Sequence, residues 1–270
     1  MSWAELLMWG LVLGTGAAVG SFLNVVVYRL PTGISLLNPP SRCPQCHTRL
    51  RFYDNVPVLG WLWLRGRCRY CQTAIAKRYP IVEAVTAGLF LFTFLWFGLT
   101  LHTLGYWLFL SWLLALALID LDTMTLPNPL TKSGVILGLI FQSILGFALQ
   151  GHWMGLAQGL ISSFLGAIIG IWLFDLIRLA GLLAIGQEAM GGGDPKLAAM
   201  IGAWLGWPLL LVSSLLACTL GSVVGIGGMA LGWLGRRQAI PFGPFLALGA
   251  GLSTFWGQQL INAYQSWIGL

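Results

Sequence analysis

The 270-residue chain is 57% hydrophobic and only 8% charged, with 14 Lys and Arg against 8 Asp and Glu. A soluble globular domain carries about 25% charged residues, so this composition excludes one. Several apolar runs reach the roughly 20 residues that a helix needs to cross a bilayer, and the alternating pattern of a membrane barrel is missing. The sequence therefore predicts an all-α polytopic membrane protein.

About eight transmembrane helices are expected, with seven as the alternative. The first, from about residue 6 to 27, lacks a basic n-region and is interpreted as an anchor with its N-terminus outside rather than a cleavable signal. The sixth is short and is either re-entrant or continuous with its neighbour. After the first, the expected spans are 81–99, 103–120, 130–149, 155–178, 196–206, 208–235 and 243–268.

The Lys and Arg residues predict the orientation. All 14 fall in or within about a turn of the four segments that would face inside if the N-terminus is outside: 29–79, 121–130, 179–195 and 236–242. The positive-inside rule identifies this side as the cytoplasm, so the net charge of +6 is attributed to orientation and no nucleic-acid partner is expected. The domains expected are a first transmembrane helix (1–28), a cytoplasmic domain (29–79) and a membrane catalytic domain of about seven helices (80–270).

Two Cys-x-x-Cys pairs lie in the cytoplasmic domain, formed by Cys43 with Cys46 and by Cys68 with Cys71. Four thiolates at this spacing suit a tetrahedral structural Zn²⁺ site in a small zinc-ribbon-like insertion between helices 1 and 2. The metal would supply stability that so short a segment lacks. Disulfides or a redox-active dithiol are the alternatives, and a cytoplasmic location argues against structural disulfides.

Two carboxylates stand out because acids beside membrane-spanning sequence are costly. Asp194 lies in the Gly-rich stretch 190–196, and Asp120 ends a different apolar run; both fall at the cytoplasmic ends of their spans. Two such acids side by side can share a proton, and one can activate water while the other protonates a scissile carbonyl. The simpler alternative is that both are ordinary helix-end acids. Asp122 projects about 200° away from Asp120, and periodicity does not choose between them.

Six motifs in order resemble those of the type IV prepilin leader peptidases, membrane aspartic peptidases of type II secretion and type IV pilus systems. The resemblance covers nearly the whole chain. The motifs are 20–31 (GSFLNVVVYRLP), the two cysteine pairs, 77–83 (KRYPIVE), 119–122 (IDLD) with Pro127, 191–196 (GGGDPK) and 241–245 (PFGPF).

This resemblance implies that Asp120, seven residues before Pro127, and Asp194 are the catalytic pair. It implies prepilin or pseudopilin substrates with a short basic leader, cut at the cytoplasmic face of the bacterial inner membrane. Members that keep the cysteine domain often also methylate the new N-terminal amine with S-adenosylmethionine. The sequence contains no Gly-x-Gly-x-x-Gly turn after a strand, so the residues that bind this methyl donor stay unassigned.

Four further residues are candidates for supporting roles: Gly191, Gly193, Lys196 and Glu188. Glu188 would meet the basic leader or be a solvated loop acid. Lys196 would hold a carboxylate ionised or mark the membrane boundary. Membrane lipids are expected partners, and the Arg-rich loop would contact anionic headgroups. The competing functions are a proton-coupled transporter with a zinc-ribbon regulatory loop, for which inverted repeats would be expected but are not evident, and a membrane-anchored zinc-ribbon adaptor.

Overall fold

The computed structural model describes residues 2–186, 190–233, 235 and 238–269. Within these residues the chain is helical and forms no strands, only two isolated antiparallel bridges. A 3₁₀ turn covers Phe52–Asn55. The α-helices are α1 (Trp3–Arg29), α2 (Leu59–Trp63), α3 (Arg78–Phe97), α4 (Leu101–Thr123), α5 (Asn128–Gln150), α6 (Trp153–Ile185), α7 (Asp194–Ala230) and α8 (Gly243–Ile268).

Six of the described helices, α1 and α3 to α7, are long and apolar enough to cross a membrane. The prediction of an all-helical, multi-pass membrane protein is therefore confirmed at this level. The exact number of eight spans stays a prediction. α8 is 26 residues long but is not among the six.

Residues 1–111 form one compact unit, in which α1 and α3 pack closely and run antiparallel. A Cβ atom on Gly16 would lie 2.8 Å from the Ala87 backbone, and one on Gly20 would lie 2.7 Å from the Glu83 backbone. Small residues allow this approach because helices in lipid associate through close packing. Residues 30–77 lie between the two helices in sequence and contain the four paired cysteines.

Residues 112–270 form the second unit, and the first half of α7 is its core. Side chains from Leu197 to Trp204 are almost fully buried. Gly202 packs so closely on Gly166 of α6 that a methyl group on either would overlap the backbone of the other. At ~1.5 Å per residue, 194–205 extends for about 18 Å, so this half alone is too short to cross a hydrocarbon core of roughly 30 Å.

α7 is interrupted at Gly206, where φ is 77° and ψ is 169°. A positive φ favours glycine, and Pro208 lacks the N–H that would bond to the Trp204 carbonyl. The freed carbonyls receive side-chain donors instead: the Gln142 amide donates to Trp204 O, and the Ser163 hydroxyl donates to Ala203 O at 2.5 Å. The expected sixth and seventh spans meet at this interruption, so the break predicted between 206 and 208 coincides with it.

Candidate functional site

Asp120 lies in the last turn of α4 and its side chain is buried, with 5% of the residue exposed. Its Oδ2 accepts a hydrogen bond of 3.0 Å from the backbone N–H of Gly243, the first residue of α8. The first N–H groups of a helix have no partner within it, and the positive end of the dipole favours an anion there. A Cβ on residue 243 would lie 2.6 Å from this oxygen, so glycine is required for the contact.

Asp194 is the first residue of α7 and is equally buried. Its Oδ2 accepts a hydrogen bond of 3.1 Å from Gly191 N, while its own backbone N–H donates to Gly191 O at 3.2 Å. This reciprocal turn fixes the carboxyl group against the loop that precedes the helix. Pro195 follows at a position in the first turn where its missing N–H costs nothing.

The two carboxyl groups are close enough for the charge of Asp120 to act on Asp194. The loops that carry them are also in contact. Leu126, just after α4, packs on Gly193, where a Cβ would lie 2.9 Å from the Leu126 Cβ. Each acid is therefore held by a backbone N–H from a glycine. Such a pair can exchange a single proton between its members.

The supporting residues occupy different places. Lys196 is exposed, and its Nζ donates to Asn128 Oδ1 at 2.7 Å, which links the start of α7 to the start of α5. Asp122 is exposed on the same helix as Asp120. Glu188 lies outside the described residues.

Gly243, Leu126 and Asn128 are site residues that sequence reasoning missed. The motif around Gly243 was visible, but Gly243 and Asp120 are 123 positions apart in sequence. A Gly-Pro pair indicates a helix start, but it does not indicate which carboxylate accepts a hydrogen bond from that helix start.

The four paired cysteines also come together. All four Sγ atoms lie within 4.8 Å of one another, and Cys43 Sγ is 3.7 Å from Cys71 Sγ. A tetrahedral Zn²⁺ with bonds of about 2.3 Å requires sulfur atoms about 3.8 Å apart. The prediction of a four-cysteine cluster that can hold a metal ion is confirmed, and the donor set and spacing fit the expected ion.

The two cysteine pairs fold alike. The N–H of Cys43 donates to Thr48 O at 3.0 Å, and that of Cys68 donates to Thr73 O at 2.8 Å. The Thr73 hydroxyl, 3.4 Å from Cys71 Sγ, lowers the pKa of that thiol to about 6. This lowered pKa favours the thiolate of Cys71, which is the form that binds metal.

The chain is similar to known proteins over almost its whole length. Residues 15–97 match the family model described as the bacterial peptidase A24 N-terminal domain, and residues 107–226 match the type IV leader peptidase family. The curated relatives include three named prepilin leader peptidase/N-methyltransferase. The one from Aeromonas salmonicida is 37% identical over 97% of this chain and 95% of its own. The one from Pseudomonas aeruginosa is 36% identical over 94% of this chain and 92% of its own. The one from Pectobacterium carotovorum is 38% identical over 87% of this chain and 88% of its own. No solved structure matches the chain.

Proposed function

The chain belongs to the type IV leader peptidase family, and we propose that it is a membrane aspartic endopeptidase that removes the leader from prepilins or pseudopilins. The observation that carries the proposal is a pair of buried acids from distant parts of the chain, Asp120 and Asp194, each bonded to a glycine N–H and close enough for one charge to act on the other. Nothing in the described residues or the comparisons supports the transporter alternative.

The geometry suggests how the pair would work. Both glycine N–H groups bond to Oδ2, so Oδ1 of each carboxyl group is the oxygen assigned to proton transfer. The ionised acid takes a proton from water as the water oxygen bonds to the scissile carbonyl carbon, and the protonated acid gives its proton to the carbonyl oxygen. The C–N bond then breaks as the proton first taken from water passes to the leaving amine, and one hydroxyl of the intermediate returns its proton to the other acid, which leaves a carboxylic acid and restores the pair.

Leader removal in membranes tests this pair. Asp120→Asn and Asp194→Asn each remove the charge while keeping the shape, so cleavage of a pilin-like precursor in membrane vesicles should fall below about 1% of the original rate, since each acid is essential to the proton exchange. Asp122→Asn is the matched control and should cleave normally. Cleavage retained in either of the first two variants would refute the proposal.

The Lys and Arg distribution supports a multi-pass inner-membrane protein whose N-terminus is periplasmic and whose acids face the cytoplasm. On that side the basic leader of the substrate would remain in the cytoplasm while its apolar segment lies in the bilayer. The supporting roles of Gly191 and Gly193 are backbone ones: the first donates to Asp194, and the second admits Leu126.

We further assign a structural Zn²⁺ to Cys43, Cys46, Cys68 and Cys71. Sulfur donors alone, in two Cys-x-x-Cys pairs, favour Zn²⁺ over Mg²⁺ or Ca²⁺, which prefer oxygen. The ion would hold the two similarly folded pairs together and has no role in the proton transfer between the aspartates.

A second activity, methylation of the new N-terminal amine, is supported by the names of the relatives. When bound, S-adenosylmethionine supplies an electrophilic methyl group. An open cavity of about 450 Å³ in the same segment as the cysteines suits it, because guanidinium groups can hold a carboxylate and aromatic rings can stack on adenine. The cavity is lined by Arg49, Leu50, Arg51, Phe52, Tyr53 and Tyr70.

Direct binding tests this assignment without an enzyme assay. Arg51→Gln should weaken equilibrium binding of radiolabelled S-adenosylmethionine about tenfold, the loss expected for one charge-assisted hydrogen bond. Arg65→Gln, which removes the same charge outside the cavity lining, should leave binding unchanged. Equal affinity of the Arg51→Gln variant and the original protein would exclude this cavity.

A further inference from the structure

The short helix α2 exposes three large apolar side chains within five residues. Leu59 is 65% exposed, Leu62 is 56% exposed and Trp63 is 83% exposed. The other two residues face inward: the Trp61 indole N–H donates to Ile75 O at 3.1 Å, and a Cβ on Gly60 would lie 2.6 Å from Asp54 O. α2 therefore has one face packed on its own domain and one apolar face, here called the α2 face, formed by Leu59, Leu62 and Trp63.

A buried hydrogen bond fixes α2 beside a membrane-spanning helix. Glu83 of α3 is 8% exposed, and its Oε2 accepts a bond of 2.6 Å from Val58 N, immediately before α2. Val58 adopts a φ of 60°, which β-branched residues avoid. The backbone is thus held in a strained conformation that presents this N–H to the carboxylate.

The position of Glu83 along α3 indicates the depth of α2. α3 has 20 residues, about 30 Å, so the whole helix is needed to cross the hydrocarbon core. Glu83 lies five residues after Arg78, about 7.5 Å along the axis from the start of the helix. A segment bonded at this level lies about 7.5 Å inside the boundary between headgroups and acyl chains, within the roughly 5 to 10 Å to which an amphipathic helix buries its apolar face.

The charge of the same segment favours an anionic surface. Residues 30–77 contain seven Lys and Arg and a single acid, Asp54. That acid is paired with Arg69 at 2.6 Å and is buried, so it offers little repulsion to negative headgroups. Basic groups next to a membrane-spanning helix are attracted to anionic lipids.

We propose that the α2 face inserts into the headgroup–acyl boundary of an anionic bilayer and docks residues 30–77 on the membrane surface. The occupant of the face is therefore lipid rather than a substrate protein. This docking does not depend on the peptidase activity.

Photo-crosslinking with lipid tests the proposal on the full-length protein. The protein is placed in nanodiscs of phosphatidylglycerol and phosphatidylethanolamine that contain a lipid with a diazirine on its acyl chain. Trypsin then releases peptide 52–65, which holds α2, and peptide 70–77 from the second cysteine pair, because cleavage follows Arg51, Arg65, Arg69 and Lys77. Adducts located at residues 59–63 should exceed those on 70–77 at least fivefold, and the excess should fall in phosphatidylcholine nanodiscs.

A double variant and a matched control sharpen the test. Leu62→Gln with Trp63→Gln should reduce labelling of residues 59–63 at least threefold. Leu37→Gln should not, although Leu37 is as exposed as Trp63, at 83%. If the double variant fails to fold, the comparison of labelling at residues 59–63 and 70–77 in the original protein still tests the proposal. Equal labelling of the two peptides overturns the proposal. It is also overturned if a water-soluble diazirine labels α2 in the protein alone, and α2 becomes protected only after a pilin-like substrate is added.

Discussion

At the scale of single residues, the candidate site depends on glycine N–H groups as much as on carboxylates. Asp194 could be chosen from the sequence because acids are few and it begins an apolar run, whereas the choice of Asp120 over Asp122 came from the resemblance to the family motif that ends at Pro127. Their backbone donors, Gly243 and Gly191, could not be chosen in the same way. Glycines are abundant in helices that pack in lipid, so their presence alone does not indicate a site.

Gly243→Ala should reduce leader cleavage about 10- to 100-fold. The added methyl group would overlap Asp120 Oδ2, and displacing the carboxylate would break a charge-assisted hydrogen bond of about 1.5 to 3 kcal/mol. Initial rates in membrane vesicles measure the loss.

Gly227→Ala is the control for this variant, because a Cβ at residue 227 meets no atom within 4 Å. It should cleave at the original rate. Unchanged cleavage by Gly243→Ala would mean that the bond from α8 does not position Asp120.

At the scale of elements, the interruption of α7 shows which features the sequence can predict and which it cannot. The expected spans ended at 206 and began again at 208, and the structure explains this break, because Gly206 adopts a positive φ and Pro208 lacks an N–H. The sequence could not predict that Gln142 and Ser163 satisfy the freed carbonyls. Both residues come from other helices, and a polar residue within an apolar run does not reveal its partner.

Gln142→Leu and Ser163→Ala should each lower the free energy of unfolding by about 1 to 3 kcal/mol. Each change leaves a buried carbonyl at the interruption without its donor, in surroundings where no water can replace it. Thermal unfolding in detergent, followed by circular dichroism, measures the effect.

Ser143→Ala provides the comparison, since the Ser143 hydroxyl bonds only to Leu139 O within its own helix. Its stability should change by less than about 0.5 kcal/mol, as expected where no unpaired group is created. Equal effects from Ser143→Ala and Ser163→Ala would contradict the role given to the interruption.

At the scale of the whole molecule, composition and hydropathy were sufficient for the class of protein, because membrane helices must carry long apolar runs. They were insufficient for the number of spans. α7 as a whole is apolar enough to be a candidate span, yet its first half, 194–205, is buried within the protein, and α8 is long but is not among the six candidates. Burial inside the protein and burial in lipid require similar side chains, so hydropathy does not separate them.

The division of the chain into two units predicts separable losses. Cys43→Ser should abolish metal binding and make residues 30–77 sensitive to protease, while leader cleavage should persist at a reduced rate. The four cysteines belong to residues 1–111, whereas both aspartates belong to residues 112–270. Metal content, limited proteolysis and cleavage are measured on the same preparation.

Cys218→Ser is the control, because Cys218 is an exposed residue of α7 outside the cysteine cluster. It should retain metal and activity. A preparation in which Cys43→Ser still binds metal as tightly as the original protein would remove the four-cysteine assignment.

The bond between Gly243 and Asp120 also has a consequence for biosynthesis. The ribosome makes α4 before α8, and the donor for the Asp120 carboxylate, Gly243, lies 123 residues further along the chain. A nascent chain that has already delivered both acids to the membrane still lacks the group that orients one of them. Competence for cutting is thereby deferred until α8 has been made, and chains released before that point enter the membrane without a correctly oriented Asp120.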